Sequence, residues 1–144
     1  MSESSTKNTW NNFNQQLIDE FRATGGKVSG QFAGAPLLLL TTTGAKSGQE
    51  RTTPLAYTRD GERFVVIASK GGAPTNPDWY HNLRAHPAAT IEVGSERYAV
   101  RATVPEGAER QRLYYQMAAR MPGFAEYQRN TSRLIPVVLL ERAD

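Results

Sequence analysis

The first apolar pattern in the chain is that of an amphipathic helix. From Trp10 to Phe21, large apolar side chains recur at steps of three and four residues, and Gly25-Gly26 follows. This spacing predicts a helix that ends near residue 25. Its apolar face is typical of a helix that packs on a core, although a terminal aromatic helix can also lie on a membrane or cover a ligand. Residues 1–9 are polar, and we expect them to be flexible.

Short apolar and β-branched runs then alternate with glycine-rich loops, a pattern that predicts strands. The predicted strands are residues 37–43, 52–59, 64–69, 90–93, 97–103 and 134–140. Asp60-Gly61 and Gly94-Ser95 are tight-turn signals, so each joins the two strands around it into a hairpin. Pro136 indicates that the last strand lies at a sheet edge or contains a bulge.

Two further helices are predicted between the strands. The tripeptide Asn76-Pro77-Asp78 is a helix start, with asparagine as the N-cap, proline in the first helical position and an acidic residue in the first turn. This helix stops before Pro87, because the residue before a proline is disfavoured in a helix. Pro105 opens the next helix, which ends at Pro122-Gly123.

About six antiparallel strands with helices between them predict an α+β fold, built on an antiparallel barrel or a strongly curved sheet. No linker, repeat or low-complexity tract interrupts the chain, which predicts a single domain over residues 10–144. Residues 124–133 are polar but include Phe124 and Tyr127, and this composition favours a mobile cover over a pocket.

The composition is that of a folded protein: among 144 residues, 39% are hydrophobic and 22% are charged. There is no cysteine, and His81 and His86 have no carboxylate at ligand spacing, so we expect no disulfide and no metal site. No apolar run approaches the length of a membrane span, and the N-terminus lacks a signal-peptide pattern. The predicted location is therefore the cytoplasm, with peripheral membrane contact through the first helix left open.

The net charge of +3 points to an anionic partner, and the positions of the basic residues indicate which kind. Arg110, Arg112 and Arg120 alternate with acidic residues along one predicted helix, which is typical of a solvated face. Because a nucleic-acid surface needs a basic stripe with interleaved aromatic residues, we expect a small-molecule partner and no nucleic acid.

Two loops carry the candidate chemistry. Residues 44–51 combine glycines, whose amides can turn toward an anion, with the point charge of Lys46 and the planar fork of Arg51. Residues 69–72, Ser-Lys-Gly-Gly, form the second loop and lead toward a helix start, which also favours anions. The predicted hairpins place both loops at one end of the sheet, so an anion-binding site is predicted there.

Motifs of other enzyme classes are absent from the sequence. There is no G-x-G-x-x-G after a strand, no Walker phosphate loop, no G-x-S-x-G and no H-E-x-x-H. Rossmann-type dinucleotide binding and classical hydrolase chemistry are therefore disfavoured.

Several sequence motifs occur together and in order. They are the stretch from Leu40 to Arg51 (LTTTGAKSGQER), Pro54-Leu55, Arg59-Asp60-Gly61, the stretch from Ala68 to Gly72 (ASKGG), Asn76 to Leu83, Pro122 to Tyr127, and Ile135 to Val138 (IPVV). In this combination residues 36–141 resemble the deazaflavin-dependent nitroreductases of actinobacteria. The resemblance implies a split β-barrel and reduced coenzyme F(420) as the hydride donor. It also implies broad reduction of quinones, nitroaromatics and α,β-unsaturated lactones such as coumarins and aflatoxins.

The resemblance also implies which residues form the site. Those it places against the cofactor are Lys46, Ser47, Gly48, Arg51, Pro54, Ala56, Ile67, Ala68, Ser69, Lys70, Asp78, Trp79, Tyr80, His81 and Asn82. The first four match the phosphate-binding loop of the family and its second basic contact. Phe124 and Tyr127 match positions that face the substrate. We assign Ser69 to a hydrogen bond that orients the ring or the substrate, and Tyr127, or else solvent, to proton donation.

Two residues depart from the family pattern. Ala45 replaces a residue that is often basic, which removes one charge near the phosphate. Phe124 stands where the best-known nitroreductases carry tyrosine, so it offers no phenol proton and argues against activity on a bicyclic nitroimidazole prodrug.

Two alternative functions stay open at the level of sequence. One is an FMN-binding oxidoreductase with the same split-barrel fold, and the other is a protein that carries the deazaflavin without turning it over. Pairing into a homodimer, which is common among split barrels, is left open as well.

Overall fold

The structure is a computed structural model that describes residues 14–28 and 36–143. Its elements, in chain order, are helix α1 (14–24), strands β1 (Leu37–Thr43), β2 (Glu50–Ala56), β3 (Thr58–Asp60) and β4 (Arg63–Ile67), a 3-10 turn (Lys70–Gly72), helix α2 (Asp78–Ala85), strands β5 (Ala88–Val93) and β6 (Glu96–Thr103), helices α3 (Gly107–Arg120) and α4 (Gly123–Arg129), and strand β7 (Val137–Arg142). Trp10, Phe13 and the predicted flexible residues 1–9 lie outside the described residues.

The seven strands of the described chain form one antiparallel sheet in the order β2-β1-β5-β6-β7-β4-β3. β2 and β3 therefore lie at opposite edges, yet only Tyr57 separates them along the chain. Two residues span at most about 7 Å, so the sheet has to curl until its edges nearly meet. The predicted α+β fold on a strongly curved antiparallel sheet is confirmed. The strand count is seven and not six, because the predicted strand 52–59 is divided at Tyr57.

Alternation along the strands sorts apolar side chains into a barrel interior and an outer layer. In β4, Phe64 and Val66 point into the interior, where Trp79 of α2 also packs. Val65 and Ile67 point outward and pack beneath α3. α2 therefore closes one end of the barrel, while α3 covers the outer face of β4 and β7.

The described part of α1 packs on the core, as its spacing predicts. Leu17, Ile18 and Phe21 are buried and contact Leu37 and Leu39 on the outer face of β1. In the part of the chain that the structure describes, no helix has the length and apolar character needed to cross a membrane.

Three sequence predictions about element ends are wrong. Asn76 is not an N-cap: α2 begins at Asp78 with Pro77 in the capping position, because the Asn76 side chain accepts a hydrogen bond from Arg133 instead. The third helix begins at Gly107 and not at Pro105, since the intervening residue is extended.

The third error concerns the last strand. Pro136 lies just before β7, so its missing N–H removes no bond from the ladder. β7 is consequently free to occupy the sheet interior, between β6 and β4. The prediction of an edge strand or a bulge is therefore wrong.

The predicted mobile cover over residues 124–133 is also wrong. Most of that stretch is α4, and its Phe124 and Tyr127 pack against the apolar cluster beneath α3. Polar composition concealed the helix, because Phe124 and Tyr127, both half-buried, are its only large apolar residues.

Arg110 is buried, with 4% of its surface exposed, so its predicted place on a solvated face is wrong. It lies 4.4 Å above the ring of Tyr114 and donates two hydrogen bonds to Ile135 O, at 3.1 and 2.6 Å. The helical period explains the burial, since residues 110, 113, 114 and 117 share the inward face of α3. Desolvation lowers the pKa of Arg110 from its ordinary value, but an arginine stays charged in proteins.

Candidate active site

The first predicted loop is a tight turn between β1 and β2. Gly44 N donates to Gln49 O at 2.8 Å, and Gly48 N donates to Gly44 O at 3.0 Å. A Cβ at residue 44 would lie 2.4 Å from Ser47 Oγ and 3.2 Å from Gln49 O, so a larger residue there would displace the Ser47 side chain and press on the turn. Lys46, Ser47 and Gly48 are exposed at the tip of this turn.

Asn82 joins this loop to α2. Its Nδ2 donates to Thr42 Oγ1 at 3.1 Å, and its Oδ1 accepts from Ala45 N at 3.0 Å. Asn82 is 8% exposed and Thr42 is 2% exposed, so each depends on the other for a hydrogen-bond partner. The side chain of Asn82 therefore supports the loop from beneath.

Arg51 is the second residue of β2 and lies opposite Thr42 of β1. Directly opposed residues of an antiparallel pair place their side chains on the same face, so Arg51 shares the face that α2 covers. Its side chain is exposed, with Nη2 3.4 Å from Gln49 Oε1. Lys46 and Arg51 thus belong to one end of the sheet, as the sequence predicts.

Pro54 and Ala56 lie on the other face of β2. They oppose Leu39 and Leu37, which pack against α1. Their side chains therefore point away from the face of Arg51. A cofactor that contacts Arg51 can reach these two residues only along the backbone edge of β2.

The second loop faces β2 across the gap between the two sheet edges. β3 pairs with β4, but the pairing stops at Tyr57. If the register of β3 and β4 continued past Tyr57, Ala56 would lie opposite Ile67. In the described residues, however, β2 pairs only with β1, through its other edge, and does not pair with β4. We call this gap the split, bounded by β2 on one side and by residues 67–72 on the other.

The backbone of the second loop is left-handed after its first residue, Ser69. Ser69 is right-handed (φ −78°, ψ −39°), whereas Lys70, Gly71 and Gly72 have φ of 49°, 65° and 85°. A lysine in this region is strained by about 1 kcal/mol, so its surroundings have to hold it there. Gly72 N donates to Ser69 O at 3.0 Å, and Ala73 N donates to Lys70 O at 3.1 Å. A right-handed residue followed by a left-handed one turns consecutive amides toward one side, as in anion-binding nests.

Arg133, which precedes β7, holds this turn from below. Its Nε donates to Ala73 O at 2.8 Å, and its Nη1 donates to Asn76 Oδ1 at 2.6 Å. Its Nη2 donates to Ser69 O at 2.8 Å and to Ala68 O at 3.2 Å. One guanidinium therefore connects both ends of the turn to the start of α2.

The turn also lies against α4. A Cβ at Gly72 would lie 3.1 Å from Tyr127 O, so only a glycine allows this approach. The rings of Phe124 and Tyr127 meet edge to face with centroids 5.4 Å apart, and both contact the cluster that contains Ile67. The two predicted substrate-facing residues therefore flank the second loop, although no hydrogen bond joins Ser69 to Tyr127 within the described residues.

α2 presents its predicted cofactor residues in opposite directions. Asp78 and His81 are exposed, and the half-buried ring of Tyr80 stands 5.7 Å from that of His81. Trp79 is only 6% exposed and packs in the barrel interior, and Ala68 of the second loop has no exposed surface. The structure therefore supports no ligand contact for the side chains of Trp79 and Ala68.

The basic residues of the site lack acidic partners. These residues are Lys46, Arg51, Lys70 and Arg133. Within residues 14–28 and 36–143, none of the four forms an ion pair; in this they resemble exposed arginines elsewhere, such as Arg84 and Arg97, and differ from Arg22, Arg63 and Arg112. Lys70 Nζ donates only to Thr75 Oγ1, at 3.2 Å. Because no ion pair ties up these side chains in the described part of the chain, they are available to an anion at this end of the barrel.

The sequence predicted no role for two residues that shape the site, Thr42 and Arg133, and it placed Gly72 in the second loop without predicting its approach to α4. The glycine pair at 71–72 signals a left-handed turn, but which glycine approaches another helix depends on tertiary packing. Arg133 occupies a polar stretch with no periodicity, and its partners lie about 60 residues away in the chain. No local signal could have identified it.

Comparisons with known proteins agree on one family. A model of the F420H(2)-dependent quinone reductase family matches residues 14–142. A Mycobacterium tuberculosis (strain ATCC 25618 / H37Rv) protein named F420H(2)-dependent quinone reductase is 45% identical over 126 residues, which is 85% of this chain and 85% of that protein.

Solved structures agree with this result. One, of F420-H2 dependent reductase FDR-A, superposes with a TM-score of 0.69 at 40% identity and covers 74% of this chain and 94% of its own. Another, described as a domain-swapped dimer, has a TM-score of 0.71 at 36% identity and covers 94% of this chain and 99% of its own. The predicted split β-barrel and the resemblance to F(420)-dependent reductases are thereby confirmed. The chain belongs to the F420H(2)-dependent quinone reductase family, whose members are oxidoreductases that use reduced coenzyme F(420).

Proposed function

We propose that this oxidoreductase binds reduced coenzyme F(420) in the split and transfers a hydride from it to a quinone. Nitroaromatics and α,β-unsaturated lactones such as coumarins and aflatoxins are proposed as further acceptors. The observation that supports this best is the set of basic side chains without acidic partners at one end of the barrel.

The residues around the split fit a deazaflavin cofactor, which carries a phosphate and a polyglutamate tail. Lys46 supplies a point charge for the phosphate, and Arg51 supplies a planar fork. Ser47 and Gly48 are exposed between them, so the backbone of the turn is accessible to the same phosphate. Lys70 adds a third charge on the opposite side of the split.

When bound, reduced coenzyme F(420) supplies the hydride, so the chain needs no nucleophile or metal. Ser69 is 8% exposed and its carbonyl is held by Arg133, so its hydroxyl has a fixed place from which to orient a ring by hydrogen bonding. Tyr127 is assigned to proton donation through its hydroxyl, with solvent as the alternative. Phe124 has no hydroxyl, and with Ile67 it forms an apolar wall that keeps water away.

The test is a titration of the apoprotein with coenzyme F(420) and, separately, with FMN, followed by oxidation of the reduced deazaflavin with quinones, nitroaromatics and enones. Lys46→Ala and Arg51→Ala should each lower cofactor affinity by roughly 10- to 150-fold, since a hydrogen bond to a charged group contributes about 1.5–3 kcal/mol. Arg97→Ala is the matched control, because Arg97 is an exposed arginine near the β5–β6 turn, at the other end of the sheet. It should bind like the wild type.

Each alternative predicts a different result. Preferential binding of FMN would reject the deazaflavin assignment. Tight binding of coenzyme F(420) without oxidation by any acceptor would instead favour a carrier protein. Unchanged affinity in both Lys46→Ala and Arg51→Ala would contradict the phosphate assignment alone.

A homodimer is proposed as the assembly. It is supported by the 36% identical relative whose structure is described as a domain-swapped dimer. Light scattering during size-exclusion chromatography would measure the mass, and a monomer at all concentrations would refute the proposal. Cytoplasmic location and membrane contact stay predictions from the sequence. The described part of α1 gives no support to membrane contact, since Leu17, Ile18 and Phe21 are buried against β1.

A further inference from the structure

Arg133 is held by hydrogen bonds to four separate oxygens around the second loop. All four of its side-chain acceptors are uncharged oxygens: three backbone carbonyls, of residues 68, 69 and 73, and the amide oxygen of Asn76. It is half-buried, and desolvation lowers its pKa from the ordinary value. In the described chain no carboxylate pairs with this charge, so the four hydrogen bonds are what hold the guanidinium in place, and its role lies in the backbone that they fix.

The contacts of Arg133 coincide with the strained part of the second loop. Ser69 O accepts from both Arg133 Nη2 and Gly72 N, at 2.8 and 3.0 Å. Arg133 Nε reaches Ala73 O, beyond the three left-handed residues. The two arms of the guanidinium therefore fix the residues before and after the turn, while the turn itself stays exposed toward the split at Lys70.

We propose that Arg133 is a positioning residue for the cofactor: it holds residues 69–72 in the left-handed turn that presents Ser69 and Lys70 to the split. It does so by geometry, because four separated oxygens need the planar fork of a guanidinium. A lysine offers one nitrogen and cannot reach them all. Its action on the cofactor is indirect, through the backbone of the turn, and this part of the inference rests on the proposed function.

The test uses the folded, full-length apoprotein and two measurements. One is amide hydrogen exchange at Gly72 and Ala73, the donors that close the turn. The other is affinity for coenzyme F(420) by fluorescence titration. In Arg133→Gln we expect both to change by at least about tenfold, exchange becoming faster and binding weaker, since several hydrogen bonds are lost together. Arg112→Gln, which removes an exposed arginine of α3 paired with Asp60, is the control and should change neither.

Arg133→Lys separates geometry from charge. We expect it to behave like Arg133→Gln, and wild-type affinity in it would show that only the charge matters. In Arg133→Ala, added guanidinium at millimolar concentration should slow the exchange of Gly72 and Ala73 and restore binding, with no such rescue in Lys46→Ala.

Two outcomes would overturn the inference: wild-type exchange at Gly72 and Ala73 in folded Arg133→Gln, or faster exchange there with wild-type affinity for coenzyme F(420). If the wild type itself fails to bind coenzyme F(420), the proposed function fails. The exchange measurement still decides whether Arg133 sets the turn. Should Arg133→Gln not fold, the lysine variant and the rescued alanine variant supply the same comparison.

Discussion

The contact between Asn82 and the first loop offers a direct test of how the site is built. Asn82→Ala removes two hydrogen bonds, one to Thr42 Oγ1 and one from Ala45 N. The Thr42 hydroxyl is buried and loses its partner, whereas the amide of Ala45 lies in an exposed loop and can bind water. Since an unsatisfied buried group costs about 1–3 kcal/mol and a solvated one little, we expect a loss of about 1.5–3 kcal/mol in the free energy of unfolding.

The same substitution should weaken the binding of coenzyme F(420). Without Asn82 the loop that carries Lys46 is no longer attached to α2, and binding has to order it again. Ordering even a few residues costs free energy, so we expect a loss of affinity of about tenfold. Urea unfolding measures the first effect, and fluorescence titration measures the second.

Asn82→Asp is the matched variant. Its carboxylate can accept from both Ala45 N and the hydroxyl of Thr42, so we expect the loop to stay attached to α2 while the buried charge lowers stability. It places a negative charge beneath the proposed phosphate site, and its loss of affinity at pH 8 should shrink as salt is added. The loss in Asn82→Ala should not depend on salt. Wild-type stability and affinity in Asn82→Ala would refute the reasoning.

Three further substitutions, the first with a matched glycine control, test other parts of the structure. Gly72→Ala should destabilise the fold by about 1–3 kcal/mol in thermal unfolding, because its φ is 85° and its Cβ would press on the backbone of α4. Gly71 has φ 65° and open space around its Cβ position, so Gly71→Ala should lose only the stability that the left-handed backbone costs an alanine. An equal loss of stability in both variants would contradict the close approach of Gly72 to α4. Arg110→Met should lose about 2–4 kcal/mol in urea unfolding, since the buried carbonyl of Ile135 loses both of its hydrogen bonds from Arg110. A loss no larger than that for an exposed arginine, such as Arg97→Met, would contradict this reasoning. Asp60→Asn should lower stability at pH 7, because two arginine partners lower the pKa of Asp60 to about 2. That stabilisation is present above the ordinary pKa of 3.8 and is lost as the pH falls toward 2, so the difference from the wild type should vanish there.

Patterns that repeat along the chain predicted most of the fold. The tight-turn signals Asp60-Gly61 and Gly94-Ser95 both lie in hairpins, and the spacing of Leu17, Ile18 and Phe21 correctly predicted the buried face of α1. These signals are local, so they do not depend on what packs nearby. The division of the second strand at Tyr57 was not predictable, because it arises from curling of the whole sheet.

The candidate site was predictable only in part, for a related reason. Loop composition and the resemblance indicated Lys46 and Arg51, and the structure brings both to one end of the barrel. Side-chain direction was not predictable, since Trp79 faces the interior although the neighbouring Asp78 is exposed. Arg133 acts through backbone carbonyls distant in sequence, and carbonyl acceptors leave no trace in residue identity.

The passage of the chain through Tyr57 limits how the binding groove can deform. One residue joins the two sheet edges there, so covalent bonds keep them within about 7 Å of each other whatever is bound. Any widening has to occur away from this junction, toward Glu50 and Lys70, which makes the groove a wedge with one fixed width. A wedge of this kind suits a flat heterocycle, and in the proposed binding mode an anionic tail would leave through the wide end, beside Lys46, Arg51 and Lys70.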